Sequence, residues 1–224
     1  MHKRNHREEG MTAMPYLMDN WEFERGDLSG FSTEGLCRVA NTFEAFRGTQ
    51  VFHPVSGNFF AVLDDPRKVD EDGARVVKPR DPMPAALSHL TFTPDVSGQT
   101  TLAVDGAILE CPDVTIEAGQ ALWFHWAFLR FDWSPANDFA MFAAYEKGAA
   151  QEPLYKAYLA QSLELERQQR WYTNWEAFSW RPTRRFCGSL RWIVANGIST
   201  SIPLPRPGGD ARPSALLLDC IALA

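Results

Sequence analysis

The chain has 224 residues, a formal net charge of −6 and a pI near 5.4. That length suffices for one large domain with its own core. The acidic balance argues against the basic face that nucleic-acid binding requires, with the cluster Arg181, Arg184 and Arg185 read as a solvated loop, and no run approaches the ~20 apolar residues of a membrane helix.

Aromatic residues make up 12% of the chain, with 15 Phe and 8 Trp beside 15 Pro and 15 Gly. Aromatic side chains fit pleated, half-buried surfaces, and frequent Pro and Gly supply turns, so the composition favours sheets. Residues 1–18 run basic, then acidic, without the apolar stretch of a secretion signal. They are expected to form a flexible leader before a single domain over 19–224, and a cytoplasmic location is the expectation for the chain as it stands.

Residues 36–43 (LCRVANTF) alternate apolar and polar, and 58–63 (NFFAVL) form a short apolar run. Both read as strands. Residues 64–84 are a long polar excursion. Within it Asp70-Glu71-Asp72-Gly73 resembles a calcium loop only superficially, because the ligand alternation fails. Residues 100–104 and 107–116 read as two strands of a hairpin, joined at Asp105-Gly106.

Residues 121–131 (ALWFHWAFLRF) are apolar on both alternating faces, which fits a central strand or a buried helix. The aromatic enrichment and flanking Gly119 favour the strand, with 138–145 as its hairpin partner across Pro135-Ala136-Asn137. From Pro153 to about Arg170, Tyr155, Leu159 and Leu163 recur at i, i+4 and i+8. This predicts an inserted amphipathic helix with Pro153 in its first turn. Strands resume over 173–180 and 188–195, followed by a turn at Asn196-Gly197. A loop with four prolines spans 201–213, and 214–223 (SALLLDCIAL) forms a closing strand. About nine or ten strands without strand–helix alternation predict a mostly β, antiparallel two-sheet jelly-roll sandwich with one inserted α-helix at about 153–170.

Cys37, Cys111, Cys187 and Cys220 are not in CxxC spacing, and each sits in or beside an apolar run. They are expected to be buried thiols acting as small hydrophobes. Asp219 lies among apolar neighbours in the closing strand. A carboxylate there must be hydrogen-bonded, paired with an arginine or bound to a cation. His125, flanked by Trp123, Phe124 and Trp126, is either a packed histidine or part of a pocket lining. Trp171, Tyr172, Trp175, Phe178 and Trp180 crowd into ten residues. Such rings build a core or stack on sugar faces. There is no G-x-S-x-G elbow, H-E-x-x-H or P-loop. Asp132 and Asp138 form the best candidate carboxylate pair for glycoside chemistry, and turn roles account for both.

Four segments carry a family resemblance. Asn20–Phe31 (NWEFERGDLSGF), Gly57–Leu63 (GNFFAVL), Asn137–Phe142 (NDFAMF) and Ser214–Leu223 (SALLLDCIAL) resemble, in that order, strands of jelly-roll domains. These belong to the galactose-binding-like and carbohydrate-binding-module group and related bacterial exported domains. The resemblance implies that the first strand, carrying Glu24, lies beside the last strand, carrying Asp219. It also implies that Glu24, Asp219 and Asp27 hold a structural Ca²⁺ with six to eight oxygen ligands. The expected function is a non-catalytic module for a carbohydrate or other small polar ligand, with Trp133, Trp171, Tyr172 and His125 as candidate ligand contacts. A structural or protein-interaction domain is the alternative, and an enzyme of unrecognised type is the third.

Overall fold

The computed structural model describes residues 20–45, 50–64, 91–92, 100–131, 137–148, 152–199 and 214–224. In chain order the described strands are β1 (Ser32–Glu34), β2 (Cys37–Ala40), β3 (Phe43–Glu44), β4 (Val51–Phe52), β5 (Phe60–Leu63), β6 (Thr91–Phe92), β7 (Thr101–Ile116), β8 (Leu122–Leu129), β9 (Phe139–Glu146), β10 (Tyr155–Gln161), β11 (Glu176–Trp180), β12 (Phe186–Ser199) and β13 (Ala215–Leu223), with one helix, α1 (Ser162–Arg167), between β10 and β11. One antiparallel sheet has the order β1-β7-β12-β9-β10, with β6 also on β7. The other has the order β11-β8-β13-β5-β2, and β3 and β4 form a small hairpin of their own. The chain passes back and forth between the two large sheets, which is the sandwich winding expected from the sequence.

Strand alternation sets the layers. On β8, Leu122, Phe124, Trp126 and Phe128 enter the core between the sheets, while Ala127 and Leu129 join a second cluster with Phe43, Phe52, Phe60, Val62 and Leu217. The β3–β4 hairpin supplies Phe43 and Phe52, so it covers part of the outer face of this sheet. On β9, Phe142 enters the central core, while Phe139, Met141 and Tyr145 join a third cluster on the outer face of the other sheet. Both faces of β9 are therefore buried, which is why its sequence is apolar without alternation. At the centre, Phe142 lies within 5.3–6.2 Å, ring to ring, of Phe124, Phe178, Trp192, Trp180 and Tyr155.

The structure corrects several expectations. Residues 155–161, taken as helix by spacing, are a strand paired with β9, and only Ser162–Arg167 is helical. An i, i+4 interval satisfies a period of 2 as well as 3.6, so Tyr155 and Leu159 fit both patterns. Asp105-Gly106 does not turn the chain: β7 runs unbroken for 16 residues. Asn196 pairs with Asp105, and the register shifts between Asn196 and Gly197. The two turn dipeptides therefore meet across one ladder and form a bulge, with Gly106 at φ 153°. A Cβ at Gly197 would collide with the Asn137 carbonyl.

Likewise β8 and β9 are not hairpin partners but lie in opposite sheets. The segment Asn20–Phe31 is built of turns rather than a first strand, with Phe23 at φ 60° and Gly26 at φ 72°. The neighbours of β13 are β8 and β5. Of the four cysteines Cys111 alone is buried; Cys37 and Cys220 are partly covered and Cys187 is exposed, and none of the four is in a disulfide. Burial pushes the Cys37, Cys111 and Cys220 thiols up to about 12, so they stay protonated and unreactive.

Truncating the central ring by Phe142→Ala is expected to cost about 3–5 kcal/mol, the range for a buried Phe that leaves a cavity. The midpoint of urea denaturation, with unchanged slope, measures it.

Candidate functional site

The resemblance pairs Glu24 with Asp219, and the structure brings both to one loop. Asp219 is fully buried. Its Oδ2 accepts hydrogen bonds from the Val55 N–H at 2.6 Å and the Ser56 N–H at 3.3 Å, and its Oδ1 accepts the Cys220 N–H at 2.7 Å. Cys220, at φ 51°, sits where the β13 register shifts, and this kink gives Asp219 its third donor. Burial pushes the Asp219 carboxyl above its ordinary value, and the three N–H donors pull the other way. Glu24, on the surface, accepts the Asn58 and Phe59 N–H groups at 2.8 and 3.1 Å and the Asn58 Nδ2 at 3.1 Å. These donors, led by the Asn58 N–H, hold its carboxyl below its ordinary value. Gly57, at φ 65°, leaves room that a Cβ would take from the Glu24 carboxylate.

Asp27 serves a separate turn, where its Oδ1 accepts the Ser29 N–H at 2.9 Å and the Asn20 Nδ2 at 3.1 Å. All three acidic residues are thus turned toward N–H donors, whereas a cation needs them turned toward open coordination space. Among the described residues no three His, Cys, Asp or Glu side chains group as a metal site. The residues present therefore do not fit a Ca²⁺ held by Glu24, Asp27 and Asp219.

The candidate ligand aromatics are dispersed. Trp171 lies beneath the Arg130 guanidinium, 4.3 Å from its ring centre, and Tyr172 meets Phe52 edge-on at 5.6 Å. Trp175 donates its Nε1 to the His53 carbonyl and packs against Phe60. These half-buried rings pin the chain after α1 to the outer face of the β8 sheet. His125 is on that same outer face, partly exposed, with a buried Nδ1 that has no hydrogen-bond partner among the described residues. Trp133 and Asp132 lie outside the described residues, as does the segment 70–73. Asp138 is buried and accepts the Gly197 N–H and the Ser214 N–H and Oγ–H, which is a structural role.

The described cavity is a cleft of about 500 Å³ at one open edge of the sandwich, where the edge strands β10 and β11 flank α1. It is lined by Trp126 and Tyr158 and by the polar residues Gln161, Glu164, Gln168, Arg170, Thr173 and Glu176. Its wall is fixed from behind. The buried Arg130 donates its Nε to the Arg170 carbonyl at 2.9 Å, pairs with Glu166 at 3.1 Å and stacks on Trp171. Thr173 Oγ1 accepts the Phe128 N–H, and Asn137 Oδ1 accepts the Leu163 N–H while its Nδ2 reaches Gln161 Oε1. Gln168 Nε2 orients Glu164 at 2.9 Å. Arg170 and Glu176 are exposed and line the cleft, so their side chains face solvent at its rim.

Sequence reasoning did not single out these cleft residues. Trp126 reads as plain core, and the others come together only when β10 pairs with β9 and α1 turns the chain toward β11. No local spacing signals that meeting.

No family model matches the chain, and no curated protein matches it. Among solved structures it is similar to one described as a structural basis for the promiscuous specificity of carbohydrate-binding modules from the β-sandwich superfamily. That likeness has 12% identity and a TM-score of 0.46; it covers 92% of this chain, which spans 61% of the other. TmCBM61 in complex with β-1,4-galactotriose is similar at 11% identity and TM-score 0.38, over 93% of this chain and 97% of that one. The CBM22-1 xylan-binding domain from Paenibacillus barcinonensis Xyn10C is similar at 12% identity and TM-score 0.32, over 90% and 89%.

Two outcomes follow from this geometry. Asp219→Ala strands three backbone donors in the interior and is expected to cost about 2–4 kcal/mol, whereas saturating EDTA is expected to move the thermal midpoint of the parent by less than about 1 °C. Differential scanning calorimetry reads both. Arg130→Met keeps bulk but removes the ion pair and the Arg170 tether; hydrogen exchange across 164–173 is expected to speed up about tenfold or more, with the β8 core amides unchanged.

Proposed function

We propose that this chain is a non-catalytic carbohydrate-binding module that holds a segment of a soluble glycan in the cleft between β10, α1 and β11. The observation that carries the reading is the composition of that cleft. Trp126 and Tyr158 line it beside the amide, guanidinium and carboxylate residues Gln161, Gln168, Arg170, Glu164 and Glu176. A sugar presents apolar C–H faces and a rim of hydroxyl groups. Aromatic faces take the former, and fixed donors and acceptors take the latter. Tyr158 is 40% exposed, with its ring edge-on to Phe139 at 6.2 Å and its remaining surface at the rim of the cleft. Support from Arg130, Asn137 and Thr173 behind the wall lowers the ordering cost of binding.

Glu164 and Glu176, on α1 and β11, line the same cleft, and paired carboxylates are the equipment of glycoside hydrolysis. A hydrolase is therefore the second reading. Release of reducing ends from the bound glycan would favour it, and Glu176→Gln would then abolish turnover while sparing binding.

Titration calorimetry of the full chain against xylohexaose, cellohexaose and β-1,4-galactotriose tests the leading reading. At least one is expected to bind. Tyr158→Ala is expected to weaken that binding about three- to tenfold, the worth of one stacked ring, with no reducing ends released. An absence of binding to all three, or equal binding by the variant, would overturn the cleft assignment.

A further inference from the structure

Among the described residues, the outer face of the β8 sheet is covered at one end only. The β3–β4 hairpin, with Tyr172 and Trp175, lies over Ala127, Leu129, Leu217 and Val62. At the other end Trp123 stands 43% exposed. Its two cross-strand neighbours are Ser179 on β11 and Ala222 on β13, both exposed. The next residue along this face is His125, between Ala177 and Asp219. Small residues on both sides leave the indole face clear on a pleated surface. On the covered half of this face, by contrast, Tyr172 and Trp175 pack edge-on against Phe52 and so have a protein partner.

We propose that Trp123 is a second glycan-binding site, a platform on which one pyranose ring stacks, on the opposite face of β8 from the cleft. The size of the patch selects this occupant. A tryptophan of this exposure offers on the order of 100 Å², against the ~800 Å² per partner of a standard protein interface. Its flanks, Ala177, Ser179 and Ala222, are too small to extend an apolar contact. One sugar ring matches the indole in area, and Ser179 supplies a hydroxyl at its edge. Trp126, at the cleft, is three residues along the same strand, roughly 10 Å away. The proposal shares the glycan ligand with the cleft reading but not the cleft itself.

Affinity electrophoresis of the full chain in gels containing xylan, mixed-linkage β-glucan or β-1,4-galactan tests it. Trp123→Ala is expected to weaken retardation about three- to tenfold, and Trp123→Phe to retain most of it. Ser179→Arg, which crowds the indole without removing it, is expected to weaken it as well. The same loss should appear on top of the cleft variant Tyr158→Ala/Glu176→Gln. Retardation of Trp123→Ala and Ser179→Arg equal to the parent in all three gels would overturn the platform while leaving the cleft reading intact. Loss in the Trp123 variants with none in the cleft variant would support the platform and overturn the cleft. A parent that no gel retards overturns both. Size-exclusion chromatography adds one more outcome: a dimer that Trp123→Ala converts to monomer would assign the patch to self-association and overturn the proposal.

Discussion

One buried carboxylate organises the outer face of the β8 sheet. Asp219 sits at full burial in a strand that is otherwise apolar, and three backbone N–H groups offset the desolvation of its carboxyl. Two of those donors belong to the loop between β4 and β5. That loop is thereby fixed over the kinked part of β13, and Glu24 fastens its far side from the surface. The β3–β4 hairpin that precedes the loop then covers Ala127, Leu129 and Leu217. Beyond the hairpin, Trp123 stands 43% exposed on the same face.

The resemblance assigned Glu24 and Asp219 to a cation that joins the ends of the chain. The two residues do join distant segments, but by accepting hydrogen bonds. A carboxylate satisfied by backbone amides and one satisfied by a metal read the same in sequence, because both need only an acidic residue among apolar ones. Which of the two occurs depends on what faces the carboxylate, and here that is the 55–59 loop.

A second support, Arg130, shapes the cleft. The residue is 5% exposed, so its charge must be paired. Glu166, the Arg170 carbonyl and the Trp171 ring provide for that. The effect is to lock the chain leaving α1 against the end of β8. The cleft residues on that stretch keep fixed backbones while their side chains face solvent, the arrangement that suits a site meant to bind rather than to move.

The sandwich class and several long strands, β8, β9 and β13 among them, were legible in the sequence. The alternation in β8, the two-sided apolar run of β9 and the SALLLDCIAL strand each state their burial directly. Asp219 was legible as a residue needing a partner. Three things were not. The run from Tyr155 to Leu159 fits strand and helix alike, and pairing with β9 decided it. Asp105-Gly106 and Asn196-Gly197 carry turn chemistry, yet they face each other across a ladder, where the same backbone freedom makes a bulge. The cleft joins β10, α1 and β11 with Trp126 of β8, residues separated by up to 50 positions (126 to 176). Local pattern fixes which face of each element is apolar, because burial follows period. It does not fix which elements meet at an open edge, since that is set by sheet order, and sheet order is a property of the whole fold.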